Sequence, residues 1–131
     1  MAHASTVLVG SWHVAVSTPT QGAFPALITF GAEGTVLSSE SPGPFESAGH
    51  GNWIMRDDGA GSVAFTLVAL LGSQESKSSG KLKVTSVIQP TPDRNGWHGP
   101  FKVEGVDASG QVTFTDRGSF QLTPIAVESL D

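Results

Sequence analysis

The sequence predicts an all-β fold, a single domain built as an eight-stranded antiparallel up-and-down barrel. Short apolar runs with two-residue alternation recur along the chain, and a turn rich in Gly, Pro or Asp ends each of them. The 16 glycines and 8 prolines suit many tight turns and disfavour long helices. A length of 131 residues is enough for one domain with a core of its own.

The first half of the chain contains four predicted strands, at residues 7–17, 24–30, 35–40 and 50–56. Apolar residues alternate along them, as Trp12, Val14 and Val16 do in the first strand. Gly34 provides the positive φ that a hairpin turn needs between the second and third strands. Two prolines exclude a central strand between residues 41 and 49, so this segment is predicted to be a loop, and its Phe45 is either part of a lid or a cap on the core.

The second half contains four more predicted strands, at residues 62–71, 81–89, 97–106 and 111–123. The fifth strand is apolar on both faces, with Phe65 and Leu67 on one and Val68 and Leu70 on the other. A strand of this kind needs cover on both sides, so its outer face is expected to pack against another element or against another subunit, and we expect a homodimer. Residues 7–123 form the predicted barrel domain, between tails at residues 1–6 and 124–131.

Composition excludes several classes of function. The net charge of −5, with only seven Lys and Arg and no run of them, disfavours binding to nucleic acid or to an anionic membrane. No segment has the roughly 18 consecutive apolar residues that a membrane-spanning helix needs. The absence of Cys excludes disulfides, thiolate metal sites and a Cys nucleophile. No basic and apolar leader is visible, so we expect a cytoplasmic protein, or a secreted one whose signal sequence has been removed.

Three sequence strings resemble those of known small barrels. They are Gly10-Ser11-Trp12, the string from Pro25 to Thr35 (PALITFGAEGT), and Gly49-His50-Gly51-Asn52-Trp53. With the serial hairpins between residues 7 and 122, the first string resembles the calycin superfamily of lipocalins, fatty-acid-binding proteins, avidins and allene-oxide-cyclase-type enzymes. The longer strings are similar to those of small bacterial barrel proteins of unassigned function.

The calycin resemblance implies a barrel that holds a small molecule. In lipocalins a Trp at the position of Trp12 closes one end of the barrel, and an Arg of the last strand packs across it. Arg117 is the candidate for that second role. The lipocalin Thr-Asp-Tyr turn and disulfide are absent from this chain.

Asp116 and His50 are the candidate catalytic residues. Asp116 is predicted to lie on the same face of its strand as Phe114 and Phe120. A carboxylate among aromatic rings loses solvation, which raises its pKa and suits a general acid or base. Its alternative role is structural, in an ion pair with Arg117 or Arg56. His50 lies between two glycines at a strand start, where an imidazole can do acid–base work near a barrel rim, or can simply be hydrogen-bonded there.

Aromatic side chains on the predicted inner face are the candidate ligand-binding residues. They are Trp12, Phe30, Trp53, Phe65, Trp97, Phe101, Phe114 and Phe120. The alternative is that these rings are simply core, and that a pocket survives only where small residues such as Ala26, Ala69, Ser86 and Gly118 leave room. The four His have no metal-ligand spacing, and no phosphate loop or dinucleotide motif occurs, so neither a metal nor a cofactor is expected.

Three functions fit this pattern. The leading hypothesis is binding of a small, largely apolar molecule in the barrel lumen. The second is a cofactor-free cyclase, isomerase or hydrolase of a small hydrophobic substrate, since a barrel can promote such a reaction mainly by holding the substrate in a reactive shape. The third is a filled barrel that acts as a protein-interaction module through the outer face of the fifth strand.

Overall fold

A computed structural model describes residues 7–40, 46–72 and 80–130, and shows a closed antiparallel barrel of eight strands in up-and-down order. The predicted fold class is therefore confirmed. Each strand pairs with the next along the chain, and β8 pairs with β1 to close the sheet. The strands are β1 (Gly10–Thr18), β2 (Gly22–Phe30), β3 (Thr35–Glu40), β4 (Gly49–Met55), β5 (Val63–Leu71), β6 (Gly80–Pro90), β7 (Trp97–Val106) and β8 (Val112–Pro124).

The first strand begins at Gly10, three residues later than alternation predicts. Residues 7–9 precede β1, and Gly10 turns the chain with a φ of 137°. Leu8 is buried as a result, and its carbonyl oxygen accepts a hydrogen bond of 2.9 Å from Trp12 Nε1. At the other terminus β8 includes Pro124, which pairs with Trp12 at the end of the strand. The predicted tail at residues 1–6 and the predicted role of Phe45 lie outside the described residues.

The two ends of the barrel differ. One end, which we call the closed end, contains the β2–β3, β4–β5 and β6–β7 turns and the residues that precede β1. Here Phe30, Val36, Val63, Ile88 and Leu122 are the largest side chains that lose all contact with solvent. The opposite end, the open end, contains the β1–β2 and β7–β8 turns and the last residues of β3 and β5.

A chain of aromatic contacts begins at the closed end and reaches the middle of the barrel. Phe30 packs edge-on against both Trp53 and Phe65, with ring centroids 6.4 and 5.4 Å apart. Phe65 stacks on Phe120 at 6.1 Å, and Phe120 stacks on Phe101 at 4.3 Å. Contacts between rings stabilise the core beyond the effect of burying the rings, so this series of aromatic contacts contributes to the stability of the barrel.

Trp12 and Arg117, which the calycin resemblance places together at one end of the barrel, lie near opposite ends of it. Trp12 is buried at the closed end. Arg117 pairs with Lys102 and lies one residue after Asp116, an inner-face residue, so its side chain is exposed on the outer face. The pairing of β8 with β1 ends at Ser17–Ser119, so Arg117 lies near the open end, at the opposite end of β1 from Trp12.

Gly51 of β4 marks a close approach between strands. A Cβ atom there would overlap the carbonyl oxygen of Thr66 and the backbone of Leu67 on β5. We expect Gly51→Ala to reduce the free energy of unfolding by about 1–3 kcal/mol, because backbone cannot move aside as a flexible side chain can. Urea unfolding measures the change, and His50→Ala, on the exposed outer face of the same strand, is the control. An unchanged urea midpoint for Gly51→Ala would contradict the packing of β4 on β5.

Candidate functional site

A cavity of about 410 Å³ occupies the open half of the barrel. Its walls are mainly apolar and come from the inner faces of most strands. The apolar lining residues are Val16, Phe24, Ala26, Ile28, Leu67, Ala69, Leu82, Val84, Phe101, Val103, Phe114 and Phe120. A volume of this size lies in the range of about 300–1,000 Å³ that is typical of small-molecule sites.

Side-chain size explains why the cavity lies in one half only. Ala26 and Ala69 line it, which confirms that small residues leave room there. Ser86 and Gly118 act differently. Ser86 is buried and its hydroxyl donates to the carbonyl oxygen of Pro100 at 2.8 Å. A Cβ atom on Gly118 would lie 2.7 Å from the Phe101 ring, so Gly118 makes room for that ring.

The eight candidate ligand-binding aromatic residues divide between the two halves. Phe101, Phe114 and Phe120 line the cavity. The stacked Phe101 and Phe120 rings lie deepest, while Phe114 covers Gly105 at the rim and is 49% exposed. The residues that do not line the cavity are Trp12, Phe30, Trp53, Phe65 and Trp97.

Those five residues pack in the closed half, away from the cavity. Alternation specifies the face of a strand on which a residue lies, but not its height along the barrel axis. The indole of Trp53 donates to the carbonyl oxygen of Gly31 at 2.9 Å, and that of Trp12 to Leu8, so both rings are fixed by the closed-end backbone. The filled-barrel hypothesis therefore describes the closed half and not the open half.

Asp116 lies on the inner face of β8 and lines the cavity at its mouth. Its carboxylate is half-buried and accepts two hydrogen bonds, from the Thr20 hydroxyl at 2.5 Å and from the backbone N–H of Arg117 at 2.8 Å. Neither Arg117 nor Arg56 forms an ion pair with it among the described residues. Asp116 is therefore held in position at the entrance by hydrogen bonds, on the face that alternation predicts.

His50 lies on the outer face of β4 and is exposed. It pairs with Leu37 on β3 and Val68 on β5, and the inward positions beside it belong to Gly49 and Gly51. The structure therefore does not bring His50 and Asp116 together. The sequence contains the signal for this placement. His50 and Trp53 are three residues apart, and an odd separation puts two residues of a strand on opposite faces, so His50 faces outward when Trp53 faces inward.

Two further carboxyl groups line the cavity mouth, and the sequence analysis missed both. Glu40 ends β3 on the same face as Val36 and Ser38, so extending the alternation of β3 would have found it. Glu46 lies just before β4, where no periodic pattern indicates an orientation.

The segment that contains Glu46 is attached to the end of β5. Glu46 forms a β-bridge with Leu71. The Ser47 N–H donates to the carbonyl oxygen of Leu70 at 2.9 Å, and the Leu70 N–H donates to the Ser47 hydroxyl at 2.8 Å. These contacts hold Glu46 against the cavity.

The environment of the mouth disfavours negative charge. Burial raises the pKa of Glu46 to about 7, and the negative charge of Glu40 adds to that effect. Burial also raises the pKa of Glu40. At neutral pH Glu46 therefore exchanges readily between its protonated and ionised forms, which is the property of a general acid or base or of a pH-sensitive binding group.

Basic groups lie elsewhere. None of the described residues that line the cavity is Lys, Arg or His. Lys83 and Lys102 lie on the outside of the barrel and contact Glu104 at 3.5 and 3.8 Å. The cavity is therefore an apolar chamber whose ionisable lining groups, within the described ranges, are all acidic.

The outer face of the barrel has an apolar area around β3, β4 and β5. Leu37, Ile54 and Leu70 are each about half exposed or more, and Val68 is half-buried beside them. This placement agrees with the two-sided apolar character predicted for the fifth strand. A homodimer through this face stays a prediction.

Residues 7–40, 46–72 and 80–130 contain no group of three or more His, Cys, Asp or Glu side chains that would hold a metal ion. No helix long and apolar enough to cross a membrane occurs in the same residues. Comparison with protein-family models and with curated proteins found no match to this sequence.

Replacing Glu46 tests the environment of the cavity mouth. The folded-state pKa of Glu46 is about 7, above the unfolded value near 4.5, so this group favours folding below about pH 4.5 and the benefit is lost as the pH rises through 7. We expect Glu46→Gln to stabilise the protein at pH 8, by on the order of 1 kcal/mol after allowance for solvent screening, and to have little effect at pH 4.5.

Melting temperatures of Glu46→Gln and the parent protein from pH 4.5 to 8 measure this dependence. Glu33→Gln, which changes an exposed carboxylate in the β2–β3 turn at the closed end, is the matched control. A constant difference between Glu46→Gln and the parent across this pH range would show that the Glu46 carboxyl is not in the environment described here.

Proposed function

We propose that this protein binds a small, largely apolar molecule in the open half of its barrel. The observation that supports this proposal is the cavity of about 410 Å³, with mainly apolar walls formed by the inner faces of most strands. Apolar walls favour an apolar occupant, because contact between apolar surfaces releases water from both.

The cavity offers different contacts along its depth. The stacked rings of Phe101 and Phe120 form its floor, and the aliphatic residues Ala69, Leu82 and Val84 form part of its wall. A ligand would gain roughly 25 cal/mol for each Å² of apolar surface that it loses to these walls. The polar groups lie at the mouth, which suits a molecule with an apolar body and one polar end.

The barrel also supports a proposed kinship with the calycins. The up-and-down order of eight strands and the burial of Trp12 at one end are what the resemblance implies. The strings around Phe30 and Trp53 further support a place among small bacterial barrels. Fold alone does not specify the ligand, so the cavity and its lining remain the basis of the functional proposal.

A cofactor-free enzyme is the second candidate, and the state of Glu46 favours it. A carboxyl group with a pKa of about 7 suits general acid–base catalysis at neutral pH. Asp116 lies on the inner face of β8 and opens on the same cavity. A substrate held between these groups could be cyclised, isomerised or hydrolysed with the barrel wall restricting its shape.

Filling the cavity tests the binding proposal. We expect at least one class among terpenoid, polyketide, fatty-acid and aromatic compounds to raise the melting temperature of the parent protein, because ligand at about 100 times its dissociation constant adds about 2.7 kcal/mol to stability. Ala69→Phe should abolish the shift, since the added ring would occupy the lumen. Leu70→Phe changes the next residue of β5, which is 58% exposed on the outer face, and should leave the shift intact.

Ala26→Phe, on β2, fills the same cavity from another wall and serves if Ala69→Phe folds poorly. Equal shifts in the two filled variants and in Leu70→Phe would place the ligand outside the lumen. No shift in the parent protein with any compound class would contradict small-molecule binding in the barrel.

The same compounds separate a carrier from an enzyme. If the barrel is an enzyme, the parent protein converts a bound compound, and Glu46→Gln or Asp116→Asn loses at least about 100-fold of that turnover while the compound still binds, since acid–base catalysis contributes typically 10²–10⁴-fold. Product analysis by mass spectrometry measures the conversion. Recovery of every bound compound unchanged would exclude the enzymatic candidate for that set.

A further inference from the structure

We infer that the ligand of the lumen has a protonated amine at one end of an otherwise apolar body. This inference rests on the proposed function and concerns the same cavity. Two observations support it together. One is the apolar chamber, and the other is the negative sign of the ionisable groups that line it among the described residues.

Carboxyl groups reach the mouth from well-separated parts of the barrel. Glu40 comes from β3, Glu46 from the segment attached to β5, and Asp116 from β8. In the order of the closed sheet, β3 and β8 are separated by β1 and β2, so carboxyl groups lie on more than one side of the entrance. A ligand that enters the cavity from this end of the barrel would pass near them.

The carboxyl groups of Glu40 and Glu46 differ from that of Asp116 in their contacts. Among the described residues, neither side chain forms a hydrogen bond or an ion pair, whereas Asp116 accepts two hydrogen bonds. Glu104 on the outer face illustrates the contrast, since it is paired with Lys83 and Lys102. Negative charge at the mouth therefore lacks a counter-charge within the described part of the protein.

An ammonium group supplies what the mouth lacks. It has a positive charge and three N–H donors, and hydrogen bonds between ionised partners are roughly twice as strong as neutral ones. The neutral hydroxyls of Thr18 and Ser38, which also line the cavity, offer further acceptors. A ligand with a carboxylate end would instead meet like charge, so the same groups discriminate against fatty acids.

The state of Glu46 makes amine binding depend on pH. The pKa of Glu46 is about 7, and that of Glu40 is also raised, by burial. Lowering the pH from 8 to 5 therefore removes negative charge at the mouth while a primary alkylamine, with a pKa near 10.4, stays protonated. The charged groups that face the site from the described elements are Glu40, Glu46 and Asp116, all acidic, so nothing among them reverses this direction.

Three probes with one apolar body and different ends test the inference. They are 4-phenylbutylamine, 4-phenylbutan-1-ol and 4-phenylbutyrate, titrated into the full chain by calorimetry at pH 8 and at pH 5. We expect the amine to bind at least 10-fold more tightly than the alcohol at pH 8, and the butyrate to bind more weakly than both. At pH 5 the preference for the amine should fall several-fold.

The double variant Glu40→Gln/Glu46→Gln should bind the amine and the alcohol within about 3-fold of each other, and Asp116→Asn should reduce the preference in the same direction. Glu33→Gln, at the closed end, should keep the full preference. Ala69→Phe should prevent binding of all three probes, which locates them in the lumen.

The possible results separate the two proposals. Equal binding of the three probes, lost in Ala69→Phe, would overturn the amine inference and leave lumen binding in place. A preference for the amine that persists in the double variant would also overturn it. Failure of all three probes and of the wider compound set to bind would overturn both proposals.

Discussion

Closure of the sheet through β1 and β8 is the constraint on which the rest of the molecule depends. Pairing from Trp12–Pro124 to Ser17–Ser119 joins the first strand to the last, so no strand is left with an unpaired edge. Closure also gives every strand an inside and an outside. The alternation seen in the sequence becomes a division between a lumen and a solvent-facing surface only because the two end strands meet.

Within that closed sheet, the distribution of side-chain size decides where the interior is solid. Trp and Phe rings fill the closed half, where the indoles of Trp12 and Trp53 donate hydrogen bonds to the backbone and Phe30 makes edge-on contacts. Alanine and aliphatic residues at equivalent inward positions of the open half, such as Ala26 and Ala69, leave a chamber. The densely packed half accounts for much of the core, so the other half can remain open without loss of the fold.

The chemistry of the chamber comes from its rim rather than from its walls. The walls contribute apolar contact, while Glu40, Glu46 and Asp116 place acidic groups where a ligand enters. Burial of Glu46 in this apolar part of the barrel removes water from its carboxyl group and raises its pKa to about 7. The apolar lining and the raised pKa of Glu46 therefore have a common physical origin, the low exposure of this part of the barrel to water.

The sequence by itself determined the strands, their faces and the barrel class, because alternation and turn residues are local properties. Alternation placed Asp116 on the inner face. The same alternation places His50 on the outer face and Glu40 on the inner face. Only the tertiary structure decided the height of each inward residue along the barrel axis, which separates Trp53 in the closed half from Phe114 at the rim. The contact of Glu46 with the end of β5 is likewise visible only in the tertiary structure, because contacts between residues distant in sequence leave no periodic signal.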